Sequence, residues 1–352
     1  MTLATDHPLV DGRTSASPLI RAFRGERTDV RPVWFMRQAG RSLPEYRALR
    51  EGTDMLDACL TPAMASEITL QPVRRHGVDA GIFFSDIVVP VKLAGVGVSI
   101  VAGRGPVLEN PIRTASDVLA LRPLDPDALD PIREAVALTV AELGSTPLIG
   151  FAGAPYTLAS YLVEGGPSKD QQRARSLMYS DPHTWAALLN WCADVSGAFL
   201  RSQVEAGASA VQLFDSWVGT LSRRDYQRRV APHSERVFSA LRGLTVPKVH
   251  FGLGGGEFLD VMRDIGADVV GVDWRLPLDE ANRRLGGTTP LQGNIDPALL
   301  SAPAPTLDAH VRDVLDRGAE APAHVVNLGH GVPPETDPDV LTRIVDLVHE
   351  RG

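Results

Sequence analysis

PKVHFGLGGGEFLDVMRDIGADVVGV, residues 247–272, is the stretch on which the fold turns. It opens on a β-branched and aromatic run (247–251) and crosses a glycine-rich loop. It continues through a segment with apolar spacing of three and four (257–265) and ends on a second apolar run (268–272). A strand, a helix and another strand in this order predict parallel pairing. Both runs are apolar on both faces, as strands covered on each side are. The pattern recurs outward in both directions, at 33–36 (VWFM), 79–84 (DAGIFF), 147–151 (PLIGF), 210–214 (AVQLF), 290–293 (PLQG) and 324–328 (HVVNL), which makes eight runs. Helical spacing fills 182–206, 223–242 and 337–350 between or after them.

Eight strands alternating with helices predict a single (β/α)8 TIM barrel over residues 19–352, with its active-site cleft at the C-terminal ends of the strands. A doubly wound open sheet split into two domains is the competing architecture. Residues 1–18, small, polar and punctuated by proline, are expected to form a mobile tail. Residues 86–101 read as an inserted hairpin, and the Pro/Asp-rich 122–131 as a linker.

At 352 residues and 44% hydrophobic, the chain can bury a large core. No apolar run reaches the roughly 18 residues of a membrane span, and the N-terminus has no basic start leading into an apolar stretch. Only Cys59 and Cys192 occur, too few for a disulfide framework, so a reducing, cytoplasmic setting is expected. A net charge of −8 argues against a nucleic-acid binder. Of the 35 basic residues only Lys92, Lys169 and Lys248 are lysines, so almost any cationic site here must be a guanidinium suited to bidentate carboxylate recognition.

In a barrel the chemistry lies in the loops after the strands. After 33–36 comes Arg37-Gln38-Ala39-Gly40-Arg41, followed by Ser42-Leu43-Pro44-Glu45, which reads as a capping box starting a helix. That loop can turn two guanidiniums toward one anion, or simply expose two solvated charges. Asp86, between Phe84 and Ile87, is a poorly hydrated carboxylate: a partner for NH groups, a base with a raised pKa, or a helix cap. The small residues of 150–155 leave room for something flat, and Tyr161, two turns into the following helix, is either core or ligand. Residues 164–170 have the composition of a lid. Ser216 lacks a nucleophile elbow and reads as a hydrogen-bond donor. His330, between two glycines, reads as exposed at a strand end. Gly252 stands where a His-x-Cys zinc pair with His250 would need a thiol, so no metal site is expected.

Taken in order, VWFMRQAGRSLPEYR (33–47), FFSDIVVP (83–90), GFAGAPYTLASYLVEGG (150–166), QLFDSW (212–217) and NLGHGV (327–332) resemble the uroporphyrinogen decarboxylase family. The resemblance implies a (β/α)8 barrel, a homodimer, no metal and no organic cofactor. It also implies loss of CO2 from the four acetate side chains of uroporphyrinogen III, a tetrapyrrole of the haem pathway. By the same resemblance Arg37 and Asp86 are catalytic, and Arg37, Gln38, Ala39, Gly40, Arg41, Asp86, Tyr161, Ser216 and His330 line the substrate site. Arg37 is also implied as the source or relay of the proton, with His330 as the alternative, since a guanidinium is a poor acid. Asp215 departs from the Glu that many relatives carry, and Tyr156 from the Trp that some carry. A cobalamin-linked, zinc-dependent methyltransferase on the same barrel is the rival reading, disfavoured by Gly252; a porphyrinogen-binding protein without catalysis is a third.

Overall fold

The computed structural model describes residues 2–351. Seven parallel strands form one curled sheet in the order β1 (Gly81–Ile82), β4 (Leu148–Gly153), β5 (Ala210–Asp215), β6 (Lys248–Gly252), β7 (Val269–Gly271), β8 (Leu291–Ile295) and β9 (His324–Leu328). The antiparallel ribbon β2 (Val98–Val101) and β3 (Gly105–Leu108) stands apart from it. The sheet strands are buried at every position except Phe214 and Lys248, because helices cover the outer face and side chains fill the inner one.

The run 33–36 is not a full strand. Val33 makes a single parallel bridge to Val326 of β9. On its other side its N–H donates to Asp79 Oδ2 (2.8 Å) and its carbonyl accepts from Asp79 N (2.9 Å), two residues before β1. Val33 therefore bonds both to β9 and to the segment that leads into β1. The predicted strand 79–84 shrinks to Gly81–Ile82 because beyond it the chain leaves β4. There Gln203, from the long helix Pro182–Glu205, replaces the missing neighbour: its Oε1 accepts from Phe151 N (2.9 Å) and its Nε2 donates to Phe151 O (3.0 Å). Gly150 makes this approach possible, since a Cβ there would lie 2.9 Å from Gln203 Oε1.

Inside the sheet a polar chain runs from Trp34 Nε1 to Gln292 Oε1 (3.1 Å) and from Gln292 Nε2 to Gln212 Oε1 (2.8 Å). Above it Phe151, Phe214 and Phe251 pack edge to face at 5.5 and 6.1 Å, at the C-terminal ends of β4, β5 and β6. Strand alternation then turns Leu213 and Asp215 of β5, with His250 of β6 in register beside Leu213, outward to the helices.

Several local expectations are corrected. The helix after the arginine loop spans Pro44–Leu49 with Leu43 as N-cap and no side-chain cap; Ser42 Oγ is buried without a partner, because Glu45 is drawn away into a bidentate pair with Arg75 (2.7 and 2.9 Å). The hairpin lies at 98–108 rather than 86–101, since Asp86 closes a turn that starts the helix Val89–Leu93. The stretch 223–242 divides into Arg223–Arg229 and Ala231–Ser239 at Pro232, which lacks an N–H for a continuous ladder. The 122–131 linker contains a 3-10 turn, Pro126–Leu129, leading into the helix Asp130–Leu143. Residues 2–17 run in turns against the rest of the chain, an arrangement that does not bear on how mobile they are. His7 Nε2 donates to Val204 O (3.1 Å), and Thr14 Oγ1 lies 2.8 Å from Ser209 Oγ, both pairs buried.

Candidate active site

Arg37 adopts φ 63°, in the left-handed region that costs a side-chain-bearing residue about 1–2 kcal/mol. The turn is held from beneath by Gln38, fully buried, whose Oε1 accepts from Phe35 N (3.0 Å) and whose Nε2 donates to Ala80 O (2.9 Å). The Arg37 side chain lies across Gly331, where an added Cβ would sit 2.3 Å from Arg37 Cδ. So the backbone of the His330 loop forms the bed on which this guanidinium rests. Gly329 is equally tight, against Trp274 N.

Asp86 follows β1. Its Oδ1 accepts from Val88 N (3.0 Å), while the other oxygen has no hydrogen bond among the described residues. Burial pushes its carboxyl above the ordinary 3.8; the Val88 N–H and then the charge of Arg37 pull it back in part. Tyr161, on the helix Pro155–Glu164, is pushed up to about 12, chiefly by burial and then by the charge of Asp86; Trp217 and Arg37 oppose this. Its ring meets Trp217 edge to face at 5.8 Å. His330 is lowered to about 4 by burial and by the charges of Arg37 and Arg275, with Asp273 acting the other way. It is half-buried rather than exposed as its glycine neighbours suggested. An imidazole with this value is neutral at pH 7 and offers one N–H and one lone pair.

Arg37, Asp86, Tyr161 and His330 thus share one electrostatic neighbourhood, with Ser216 at the end of β5 beside Trp217. Arg41 is exposed, its carbonyl accepting from Arg47 Nη1 (2.8 Å). Ala39 and Gly40 are half-buried backbone of the same loop. Gln38 belongs to the scaffold by its side chain, and only its backbone borders the loop.

Sequence reasoning missed the loop after β7. Asp273 Oδ2 accepts from Gly254 N (2.6 Å) and Arg275 Nη1 (2.7 Å), and Arg275 lies over the Trp274 ring at 4.0 Å. The signal was present: Val272-Asp273-Trp274-Arg275 directly follows a strand, the position that counted elsewhere. The aromatic floor of Phe151, Phe214 and Phe251 was also unread, since each sits in a run that looks like ordinary core.

Position 252 has no room for a thiol: a Cβ there would lie 2.4 Å from Met262 Cε and 2.8 Å from Val218 Cγ1. Among the described residues no group of three or more His, Cys, Asp or Glu could hold a metal ion, and no helix is long and apolar enough to cross a membrane.

The family model for uroporphyrinogen decarboxylase (URO-D) matches residues 14–351. A uroporphyrinogen decarboxylase of Arthrobacter sp. (strain FB24) is 69% identical, across 97% of this chain and 99% of its own. That of Leifsonia xyli subsp. xyli (strain CTCB07) is 65% identical, across 97% of each. Among solved structures, a methyltransferase from Methanosarcina mazei aligns with a TM-score of 0.80 at 20% identity, covering 96% of this chain and 99% of that one, which shows a shared fold. With a family model matched from residue 14 to residue 351 and relatives this similar end to end, the chain belongs to the uroporphyrinogen decarboxylase family.

Proposed function

We propose that the cleft over β1, β5 and β9 removes CO2 from the four acetate side chains of uroporphyrinogen III, leaving methyl groups and giving coproporphyrinogen III. The observation that carries this reading is Asp86: a carboxylate set in apolar surroundings, with one oxygen tied to Val88 N and the other without a hydrogen bond among the described residues. A pyrrole acetate can lose CO2 only if its electron pair has a destination. Protonation of the adjacent ring carbon creates a cationic, iminium-like sink; the C–C bond to the carboxylate then breaks and its electrons neutralise the ring. A second proton converts the methylene to methyl, and the proton first added to the ring carbon leaves, restoring the neutral pyrrole. A fixed negative charge under the ring favours that cation and accepts from the pyrrole N–H groups. At about 4 Å and an effective dielectric of about 20, such a pair is worth roughly 4 kcal/mol before desolvation, or about 10³ in rate if felt only in the transition state.

Arg37, Arg41 and Arg275 supply positive charge at the mouth of an acidic protein, as a polycarboxylate substrate requires. The neutral His330 suits a hydrogen bond to substrate better than the role of resting acid, which leaves the Arg37 guanidinium, with substrate carboxyl or solvent behind it, as the proton relay. Tyr161 and Ser216 line the wall as hydroxyl donors. Segment 33–36 acts as the eighth stave of a closed single-domain (β/α)8 barrel, working in the cytoplasm as a homodimer without metal or organic cofactor.

The test is incubation with enzymatically generated uroporphyrinogen under reducing conditions, followed by chromatography of the oxidised porphyrins. Wild type converts eight-carboxylate to four-carboxylate material, and Asp86→Asn loses about 10³ in kcat. Since the folded pKa of Asp86 is raised, its ionised form weakens the fold at neutral pH, so Asp86→Asn unfolds at the wild-type temperature or above it. Near-normal turnover in the variant would refute the cation-stabilising role.

A further inference from the structure

Behind β5, on the side away from the cleft, three titratable side chains converge that the reaction above does not use. Asp215, His250 and Tyr226 are each fully buried. They come from β5, β6 and the helix Arg223–Arg229. Asp215 Oδ1 accepts from Thr157 Oγ1 (3.0 Å). Its Oδ2 lies 3.8 Å from His250 Nε2, about 1 Å beyond a hydrogen bond. Asp215 Oδ2, both ring nitrogens of His250 and the Tyr226 hydroxyl have no hydrogen-bond partner among the described residues. Burial and the nearby charge of Asp215 push the Tyr226 phenol well up, so it remains a donor. The surroundings are apolar and closely packed: Phe258 stacks on Tyr226 at 4.8 Å, and Phe238 meets His250 edge to face at 5.8 Å. Four such atoms without a partner in apolar surroundings are contrary to how proteins are built, since more than nine in ten such groups are bonded to protein or to ordered water. A buried water typically takes two to four polar partners, the number assembled here.

We propose that Asp215, His250 and Tyr226 enclose an internal water site, and that this hydrated cluster is the rear anchor that positions Ser216 and Trp217 in the cleft. Asp215 immediately precedes both residues. From there the chain is pinned at three more places: Leu253 N donates to Asp215 O (3.3 Å), Gly219 N donates to Leu253 O (3.1 Å), and Tyr156 Oη lies 2.9 Å from Thr220 Oγ1. Trp217 in turn contacts Tyr161. A carboxylate on the helix side of β5 is thereby coupled to the wall of the site, and Asp215 is a positioning residue that never touches substrate.

The experiment is a crystal structure of the wild-type enzyme at a resolution that shows ordered water, together with kcat, KM and melting temperature for Asp215→Ala, Asp215→Glu and His250→Gln. The water site itself does not depend on the proposed reaction, but its positioning role rests on that reading. Wild-type conversion of uroporphyrinogen is therefore measured first, so that failure of one is separable from failure of the other. The expected result is one water within hydrogen-bond distance of Asp215 Oδ2, a His250 nitrogen and the Tyr226 hydroxyl. Asp215→Ala and His250→Gln then lose about tenfold in kcat/KM per folded molecule, with KM raised because Ser216 has moved. Asp215→Glu, whose extra methylene spans the gap to His250, stays within about threefold of wild type. A dry cluster closed by direct Asp215–His250 contact overturns the water site. Folded Asp215→Ala and His250→Gln proteins with wild-type kcat and KM, whatever their melting temperatures, overturn the positioning role. Should Asp215→Ala fail to fold, His250→Gln decides the matter alone.

Discussion

Gly331 shows how a residue without a side chain governs one with a charge. It provides the surface on which Arg37 lies, and the tight atoms are the flexible Cγ and Cδ of that arginine rather than backbone. Gly331→Ala therefore displaces the guanidinium while leaving the fold nearly as stable: KM rises about tenfold or more, and the melting temperature moves by no more than about 2 °C. Wild-type KM in a folded Gly331→Ala protein would show that Arg37 does not meet substrate from this position. The charges at this scale were legible in sequence, since Arg37, Asp86 and His330 each follow an apolar run. What no pattern revealed was that Gln38 in the same loop faces inward to hold the turn, because solvent-side and scaffold-side residues of a five-residue loop carry no periodicity.

Among the elements, the seam at Val33 depends on Asp79, and Asp79 also accepts from His349 Nε2 (2.9 Å) on the closing helix Pro338–Glu350. This bond raises the His349 pKa above 6.5, more than burial lowers it. A histidine with a raised folded pKa adds stability that is complete below its unfolded value and is lost as pH rises through the folded one. His349→Ala should therefore lower the melting temperature at pH 6 by more than at pH 9, read by calorimetry in the two buffers. Equal losses at both would mean the Asp79 contact carries no charge. The closing helix was read correctly from its apolar spacing, and so were β5, β6 and β9. The strand expected at 33–36 reduced to a bridge, because an apolar run shows that a segment is buried but not how many ladder partners it finds.

For the whole molecule, the N-terminal segment matters more than its composition suggests. Buried His7 bonds the end of the long helix at Val204, and Thr14 meets Ser209 just before β5. Deleting residues 2–17 leaves Val204 O and Ser209 Oγ without these partners, and should lower the melting temperature by about 3–6 °C while leaving KM unchanged, as thermal unfolding and steady-state kinetics would report. An unchanged melting temperature would return the segment to the status of a free tail.

The alternation of apolar runs and helical spacing determined the parallel α/β architecture by itself, because burial on two faces is written locally in every strand. The order of loop motifs likewise determined the family. Only the tertiary structure decided which charges share one field. Asp86, Tyr161 and His330 lie far apart in the chain, and their shifted pKa values arise from burial and from the charge of Arg37, conditions that exist only once the sheet brings their loops together.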